Sequence, residues 1–146
     1  MTAIYNQGIE RGVSYRTEPQ TVQETEAWLD ATPFLWVAVE EDDNVVGFAA
    51  SFPSLGRPSE EGIGSIAIYV ASEAQGRGVG PILLTASMRE LAREGQRKLV
   101  THVLPENAAS RRMLSRAGFR EVGVLERHWR IGGCDRDVML TECQLD

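Results

Sequence analysis

Apolar and polar positions alternate with a changing period along the 146-residue chain, and the changes predict where strands and helices lie. Phe34 to Glu40 and Val45 to Ser51 are rich in β-branched and aromatic residues, and the polar run Glu41-Asp-Asp-Asn44 joins them as a hairpin connection. Ile63 to Val70 is almost continuously apolar, which is typical of a central strand. Three further strands are predicted at Lys98 to Leu104, Phe119 to Leu125 and about Arg136 to Cys143.

Helices are predicted around and between these strands. Met1 to Gly8 is expected to be a short helical piece that stops at the glycine, and Thr21-Val-Gln-Glu24 is a capping-box pattern that opens a second helix. A long amphipathic helix follows the central strand and ends near Glu94, and a last helix is expected to be capped by Asn107. At this length we expect one domain over residues 1–146, with a core of its own.

Composition excludes some partners. The formal net charge of −6 argues against nucleic acid, because a phosphate backbone requires a basic face. No apolar run reaches the length of a membrane span and no signal peptide is recognisable, so a cytoplasmic protein without a membrane partner is expected. Cys134 and Cys143 lack metal-ligand spacing and form no Cys-x-x-Cys motif, so we expect reduced thiols and no metal.

The stretch Gln75-Gly-Arg-Gly-Val-Gly80 joins the central strand to the long helix. Its glycines let the main chain turn tightly, so that N–H groups at the helix N-terminus converge into an anion cradle suited to a pyrophosphate. A dinucleotide fingerprint is disfavoured because Ala71 to Gln75 intervene after the strand and Pro81 replaces the third glycine. The alternative interpretation is an ordinary strand-to-helix connection.

This loop resembles the Q/R-x-x-G-x-G/A loop of the GCN5-related N-acetyltransferases, which holds the pyrophosphate of acetyl-CoA. Pro105-Glu-Asn-Ala-Ala-Ser110 and Ala117-Gly-Phe-Arg-Glu-Val-Gly-Val124 also resemble that family's core in order and spacing. The resemblance implies an α/β fold, with a mixed, mostly antiparallel central sheet flanked by helices and V-shaped around splayed strands. Relatives normally carry a first strand ahead of the helix containing Ile4-Tyr-Asn6; here that strand is apparently absent, or the start is misassigned.

Within the superfamily, Ala3-Ile-Tyr-Asn-Gln-Gly-Ile-Glu10, Tyr69-Val70 and Arg136-Asp-Val138 resemble the phosphinothricin and arsinothricin N-acetyltransferases. Those enzymes acetylate the α-amino group of a glutamate-like antibiotic. The resemblance therefore implies direct transfer of acetyl from acetyl-CoA to a small-molecule primary amine, without a covalent enzyme intermediate. It also suggests a homodimer.

The same resemblance assigns roles to single residues. Ile68, Tyr69 and Val70 would offer backbone hydrogen bonds to the pantetheine arm. Asn107 would reach the coenzyme, although a plain helix N-cap is the alternative and both roles are compatible. Arg57 would pair with an anionic group of the substrate. The residues implied to hold the pyrophosphate are Gly76, Arg77, Gly78, Val79, Gly80 and Pro81.

Several positions depart from the branch pattern. Ser65 stands where relatives have a glutamate that acts as a base, Leu114 where they often have a tyrosine or histidine, and Glu60 where they have a tyrosine. The catalytic residue is thus unknown, with Glu60, Ser65 and His128 as candidates. His128 lies in a predicted loop beside Trp129, where a pocket role and a solvent-facing role are both open, whereas a structural role is favoured for His102.

Three functions are compatible with these residues. The first is acetylation of an α-amino acid analogue, which needs a base least because an α-amino group has a pKa of about 7.7 to 8.0. The second is acetylation of another amine, such as a protein N-terminus or a polyamine, motivated by Glu60. The third is a non-catalytic acyl-CoA-binding module, motivated by Ser65 and Leu114.

Overall fold

A computed structural model describes residues 1–53 and 58–145 of the chain. Within these described residues the four helices are α1 (Thr2–Glu10), α2 (Val22–Asp30), α3 (Val79–Arg93) and α4 (Ala108–Arg116). The six strands in the same part of the chain are β1 (Phe34–Val39), β2 (Val45–Pro53), β3 (Ile63–Val70), β4 (Lys98–Val103), β5 (Arg120–Ile131) and β6 (Cys134–Gln144). Short 3₁₀ turns cover Pro58–Glu60 and Ser72–Ala74.

The strands form one six-stranded sheet in the order β1-β2-β3-β4-β6-β5. Every neighbouring pair is antiparallel except β3 and β4, which are parallel. The mixed, mostly antiparallel sheet that the sequence predicted is confirmed. Among the described residues α1 is the first element, and β1 lies at an edge of the sheet.

Each face of the sheet has its own hydrophobic core. On one face, Leu84 and Leu91 of α3 and Leu114 of α4 pack with strand residues that include Leu99 and Phe119. On the other face, α1 buries Ile4, Tyr5 and Ile9 against strand residues that include Phe48 and Tyr69. We call these the α3 face and the α1 face. Alternation along each strand therefore decides which face a side chain joins.

Local capping chemistry explains where the helices begin. The predicted capping box is present at α2, where Glu24 N donates to Thr21 Oγ1 at 3.2 Å and Thr21 N donates to Glu24 Oε2 at 2.8 Å.

The predicted stop of the first helix at Gly8 is wrong, because α1 continues to Glu10. Gly8 is instead buried inside the helix, where an added Cβ would lie 3.2 Å from the ring of Tyr69.

The last hairpin is longer than the sequence pattern indicated. β5 does not end near Leu125 but continues to Ile131, with a register irregularity between Leu125 and Trp129. Arg127 adopts a positive φ of 49° there, and its N–H donates to Asp137 Oδ1 at 2.8 Å. The strand resumes after this bulge, so the predicted loop for His128 and Trp129 is wrong.

Helix length and apolar content decide whether a helix can cross a membrane. In the part of the chain that the structure describes, no helix is both long and apolar enough to cross a bilayer. The same residues contain no cluster of three or more His, Cys, Asp or Glu side chains that could hold a metal ion.

Gly47 allows α3 to pack closely on the sheet. An added Cβ would lie 3.0 Å from Tyr69 O, 3.1 Å from Val79 Cγ1 and 3.2 Å from Leu83 Cδ1. We expect Gly47→Ala to lower the free energy of unfolding by about 1–3 kcal/mol through overpacking. Gly123→Ala is the matched control, because an added Cβ there has no atom within 4 Å.

The control should stay within about 0.5 kcal/mol of the wild type. Urea unfolding followed by circular dichroism measures both variants. Equal stability of the two variants would contradict this account of Gly47.

Candidate active site

The two central strands separate partway along their length. β3 and β4 pair at Ile63–Ser65 with Lys98–Val100, and Thr101 Oγ1 then donates to Ile66 O at 2.8 Å. Beyond that bond the described residues of the two strands form no further register pairs. The result is a V-shaped gap whose two walls are the remaining parts of β3 and β4.

The residues predicted to meet the pantetheine arm lie along this gap. Ile68, Tyr69 and Val70 form the end of β3, and the opposite edge of the strand is engaged by β2. The side chain of Tyr69 is 8% exposed and packs on Tyr5, with ring centroids 4.7 Å apart. Its burial raises the pKa of the Tyr69 hydroxyl far above the ordinary value, so this side chain is a neutral part of the α1 core.

The glycine-rich turn connects β3 to α3 with the expected backbone conformations. Gly76 has φ of 75° and Gly78, the N-cap of α3, has φ of 87°, a region that favours glycine. Gly78 caps the helix without a side-chain hydrogen bond, so the first N–H groups of α3 carry no side-chain acceptor. A helix start of this kind provides N–H donors and a favourable dipole for an anion.

The rest of the turn is held by contacts outside it. The guanidinium of Arg77 forms an ion pair with Glu40, the residue that follows β1. Gly80 is buried against α4, where an added Cβ would lie 3.0 Å from Met113 Sδ. Val79 is half-buried and Pro81 is exposed in the first turn of α3. The turn is therefore braced on both sides and leaves its backbone for a ligand.

Asn107 caps α4, as the sequence predicted. Its Oδ1 accepts a hydrogen bond from Ser110 N at 3.1 Å. Among the described residues its Nδ2 donates to no protein atom. Beside it lies an open groove of about 540 Å³ between the end of α1 and the start of α4. The groove is lined by Arg11, Gly12, Val13, Leu104, Glu106, Asn107, Ala108, Ala109 and Arg136.

Ser65, the candidate at the missing glutamate position, lies on the α1 face. It shares the side of β3 that carries Tyr69, and its register partners are Phe52 on β2 and Val100 on β4. The side chain is half-buried. Glu60 is half-buried in the turn Pro58–Glu60 that precedes β3. Arg57, the predicted substrate arginine, lies outside the described residues.

His128 contacts a second histidine, which lies on another strand. Its ring stacks on His102 of β4, with centroids 5.8 Å apart and an interplanar angle of 12°. The ring centroid of Trp129 lies 6.2 Å from that of His102 and 6.2 Å from that of Tyr15. Tyr15 belongs to the segment between α1 and α2. Partial burial, followed by repulsion from His128, lowers the pKa of His102, so its neutral form is favoured near pH 7. These ring contacts are compatible with the structural role predicted for His102, which stays a prediction.

Asn6 holds the segment that carries Tyr15. Its Nδ2 donates to Gln20 O at 3.0 Å, and its Oδ1 accepts from Gln20 N at 2.8 Å. This paired contact closes the connection between α1 and α2 over the α1 face. The sequence indicated Asn6 only as part of the family resemblance. Its contact with Gln20 joins residues 14 positions apart, so a local pattern could not predict it.

Leu114 and Arg111 both have structural roles. Leu114 is 6% exposed in the core of the α3 face, so it cannot present a group to a substrate on the α1 face. Arg111 donates to Glu121 at 2.7 Å and to Pro105 O at 3.0 Å. Its guanidinium therefore already ties α4 to β5 and to the turn after β4.

Splayed parallel strands beside an open helix N-terminus define an acyltransferase type of α/β fold. The sequence model of the Acetyltransferase (GNAT) family matches residues 3–119, so the chain belongs to this family. It is an N-acetyltransferase of the GNAT type. A phosphinothricin N-acetyltransferase of Streptomyces coelicolor is 31% identical over 150 residues, which cover 93% of this chain and 88% of that protein.

Solved structures agree over nearly the whole chain. The ribosomal-protein-alanine N-acetyltransferase from Brucella melitensis superimposes with a TM-score of 0.91 at 27% identity, covering 99% of this chain and 91% of that one. YncA from Salmonella typhimurium, solved with acetyl-CoA, gives a TM-score of 0.89 at 25% identity, with coverage of 99% and 86%.

The two roles of Asn107 can be separated by substitution. Asn107→Ala removes the cap of α4 and should lower the free energy of unfolding by about 1 kcal/mol, whereas Asn107→Ser keeps a capping oxygen. Serine lacks the amide nitrogen, so we expect it to restore stability but not acetyl-CoA affinity. Calorimetric titration with acetyl-CoA, beside urea unfolding, measures both quantities. Full recovery of affinity in the serine variant would reduce Asn107 to a cap.

Proposed function

We propose that this N-acetyltransferase moves the acetyl group of acetyl-CoA to the α-amino group of a small amino acid analogue such as phosphinothricin. The observation that carries the proposal is the V-shaped gap between β3 and β4, which opens beside the glycine-rich start of α3. The similarity to the Streptomyces coelicolor phosphinothricin enzyme supports the choice of acceptor.

The coenzyme would occupy the gap in an extended conformation. The N–H groups at Gly76 to Pro81 would bind the pyrophosphate, and the backbone of Ile68 to Val70 would bind the pantetheine arm. Asn107, at the start of α4, would reach the same arm from the opposite wall. The groove beside Asn107 provides an open surface for this part of the coenzyme. Acetyl-CoA bound to YncA supports the use of acetyl-CoA as the donor.

The acceptor would approach from the α1 face. Ser65 and Val100 line that face where the strands begin to separate, and Tyr15, His102 and Trp129 lie beside it. The neutral amine would attack the thioester carbonyl directly and release coenzyme A. Holding the two reactants in one cleft converts a bimolecular reaction into an effectively unimolecular one.

An α-amino acceptor suits a site without the glutamate of the branch. At a pKa of about 7.7 to 8.0, roughly a tenth or more of such an amine is already neutral at pH 7. A lysine-type amine with a pKa of about 10.4 would be neutral only about once in several thousand molecules. The chemistry at Ser65 therefore favours an α-amino group over a polyamine.

A protein N-terminus is a second candidate acceptor. The structure from Brucella melitensis is that of a ribosomal-protein-alanine N-acetyltransferase, and it matches this fold with a TM-score of 0.91. The amine would again be an α-amino group, so the same pKa argument applies. A non-catalytic acyl-CoA-binding module is the third possibility, and any enzymatic turnover would exclude it. A homodimer and a cytoplasmic location stay predictions.

The first test is release of free coenzyme A from acetyl-CoA with a panel of amines. Phosphinothricin and methionine sulfoximine represent the proposed acceptors, a short peptide with N-terminal alanine represents the second candidate, and spermidine represents polyamines. We expect saturable turnover with the amino acid analogues. Turnover confined to the peptide would replace the proposed acceptor, and tight acetyl-CoA binding without any turnover would favour the binding module.

The glycine-rich turn can be tested separately from the acceptor. Gly78→Ala places a Cβ at a φ of 87°, where nothing crowds the side chain but the left-handed backbone costs about 1–2 kcal/mol. Relaxation of the turn should move the N–H donors, so we expect acetyl-CoA affinity to fall about tenfold. Gly123→Ala, in the exposed part of β5, should retain wild-type affinity. Calorimetric titration measures both variants, and an unchanged Kd in Gly78→Ala would exclude the turn as the pyrophosphate site.

A further inference from the structure

His102 lies on the side of the sheet from which the acceptor would approach. Along β4, Leu99 and Val103 belong to the core of the α3 face, so the intervening His102 points to the α1 face. Its contacts with His128 and Trp129, and the contact of Trp129 with Tyr15, place the ring under the segment between α1 and α2. Ser65 of β3 faces the same side.

The strand register places His102 at the start of the gap. Ser65 is the register partner of Val100, so His102 is two residues further along β4, level with Ala67 of β3. Here β3 and β4 no longer pair, and the thioester in the proposed complex would lie between Ala67 and Val70. His102 is thus the titratable side chain of β4 that faces the acceptor side where the strands part.

Hydrogen bonds on both sides of β4 fix this position. Thr101 Oγ1 donates to Ile66 O at 2.8 Å, and Thr101 O accepts from Thr141 Oγ1 at 3.2 Å. Both hydroxyls are buried, so the backbone just before His102 is held between its neighbouring strands. The imidazole is therefore attached to a fixed backbone and stacked on a second ring, which limits the positions that it can take.

Partial burial, and then repulsion from His128, lower the pKa of His102 and favour its neutral form. His128 faces it from β5, while its register partner on β6 is the apolar Leu140. The charged side chains of β6 on this face already have partners: Arg136 pairs with Glu106, and Glu142 pairs with Lys98 and Arg120. The segment before α2 contributes Tyr15 and Arg16, whose guanidinium lies 5.9 Å from the Tyr15 ring centroid. From β3 the facing residue is Ser65, which does not titrate.

We propose that His102 is the general base of this enzyme, in place of the glutamate that relatives carry at the position of Ser65. This inference rests on the proposed acetyl transfer but does not depend on which amine is the acceptor. The imidazole takes one proton from the substrate ammonium, and the freed nitrogen lone pair forms the C–N bond at the thioester carbonyl. Collapse of the intermediate breaks the C–S bond; the amide nitrogen loses its second proton, so that one proton ends on the coenzyme A sulfur and one reaches water.

Two amines of nearly equal size test this role directly. Ethylamine is an ammonium ion at pH 7 and needs a base, whereas methoxyamine is neutral at pH 7 and does not. We expect His102→Asn to lower kcat/KM with ethylamine about 10²-fold or more, and to change kcat/KM with methoxyamine by about threefold at most. His102→Gln serves as a second variant, and calorimetric titration with acetyl-CoA shows that each variant keeps its coenzyme site.

The pH dependence provides a second measurement. A base must be unprotonated, so kcat/KM with ethylamine should fall as the pH drops through the pKa of His102, which lies below the usual value of about 6.5. His128→Asn removes the imidazole whose repulsion lowers the pKa of His102, so it should raise that pKa and move the acid limb to higher pH. In His102→Asn the break at this pKa should disappear, because kcat/KM then follows the neutral fraction of ethylamine alone.

The outcomes separate this inference from the proposed acceptor. Selective loss with ethylamine supports His102 as the base even where phosphinothricin is not acetylated. Equal losses with ethylamine and methoxyamine would assign His102 a structural role and overturn the inference, as would a break at the same pH that persists in His102→Asn. Where the wild-type chain acetylates neither small amine, the variants are compared with the amine of the panel that it does acetylate: a pH break that disappears in His102→Asn supports the inference, and one that persists overturns it.

Discussion

The hydrogen bond from Thr101 Oγ1 to Ile66 O marks the point on which the functional part of this fold depends. Before it, β3 and β4 form a parallel ladder; after it, the two strands separate. A single buried hydrogen bond adds only about 0.5–1.5 kcal/mol to stability, but its location decides where the gap begins. Because Thr141 Oγ1 donates to Thr101 O, the same residue is also held by β6. The gap is therefore a defined feature of the sheet rather than a fraying end.

A gap at the centre of a sheet exposes backbone groups that normally pair, and a ligand can use them. The sheet also keeps two cores apart, so α3 and α4 close one face while α1 and the segment carrying Tyr15 cover the other. Coenzyme and acceptor can then reach the same opening from different sides. The turn from Gly76 to Gly80 completes this arrangement, since the positive φ values of Gly76 and Gly78 let the main chain turn tightly into the start of α3.

Much of this arrangement followed from local sequence. The almost continuous apolar run predicted β3 with its observed bounds, the Thr21 capping box formed as expected, and the glycine turn adopted conformations that glycine accepts most readily. The long-range contacts could not be read in this way. The bulge at Arg127 depends on Asp137 across the hairpin, and the His102–His128 stack depends on that bulge, so neither is visible to a local pattern.

The same reasoning explains how a site can lack the glutamate that the branch carries and remain suited to its reaction. A carboxylate in place of Ser65 would accept the proton of the amine from the β3 wall of the gap. An imidazole on β4 reaches the same opening from the opposite wall. Histidine also has the pKa nearest to neutral among the side chains, so small changes in its surroundings set its protonation state. Partial burial, and then repulsion from the neighbouring His128, supply such changes for His102. With His102 as the proposed base, the position of the base rather than the type of fold distinguishes this chain from the branch it resembles.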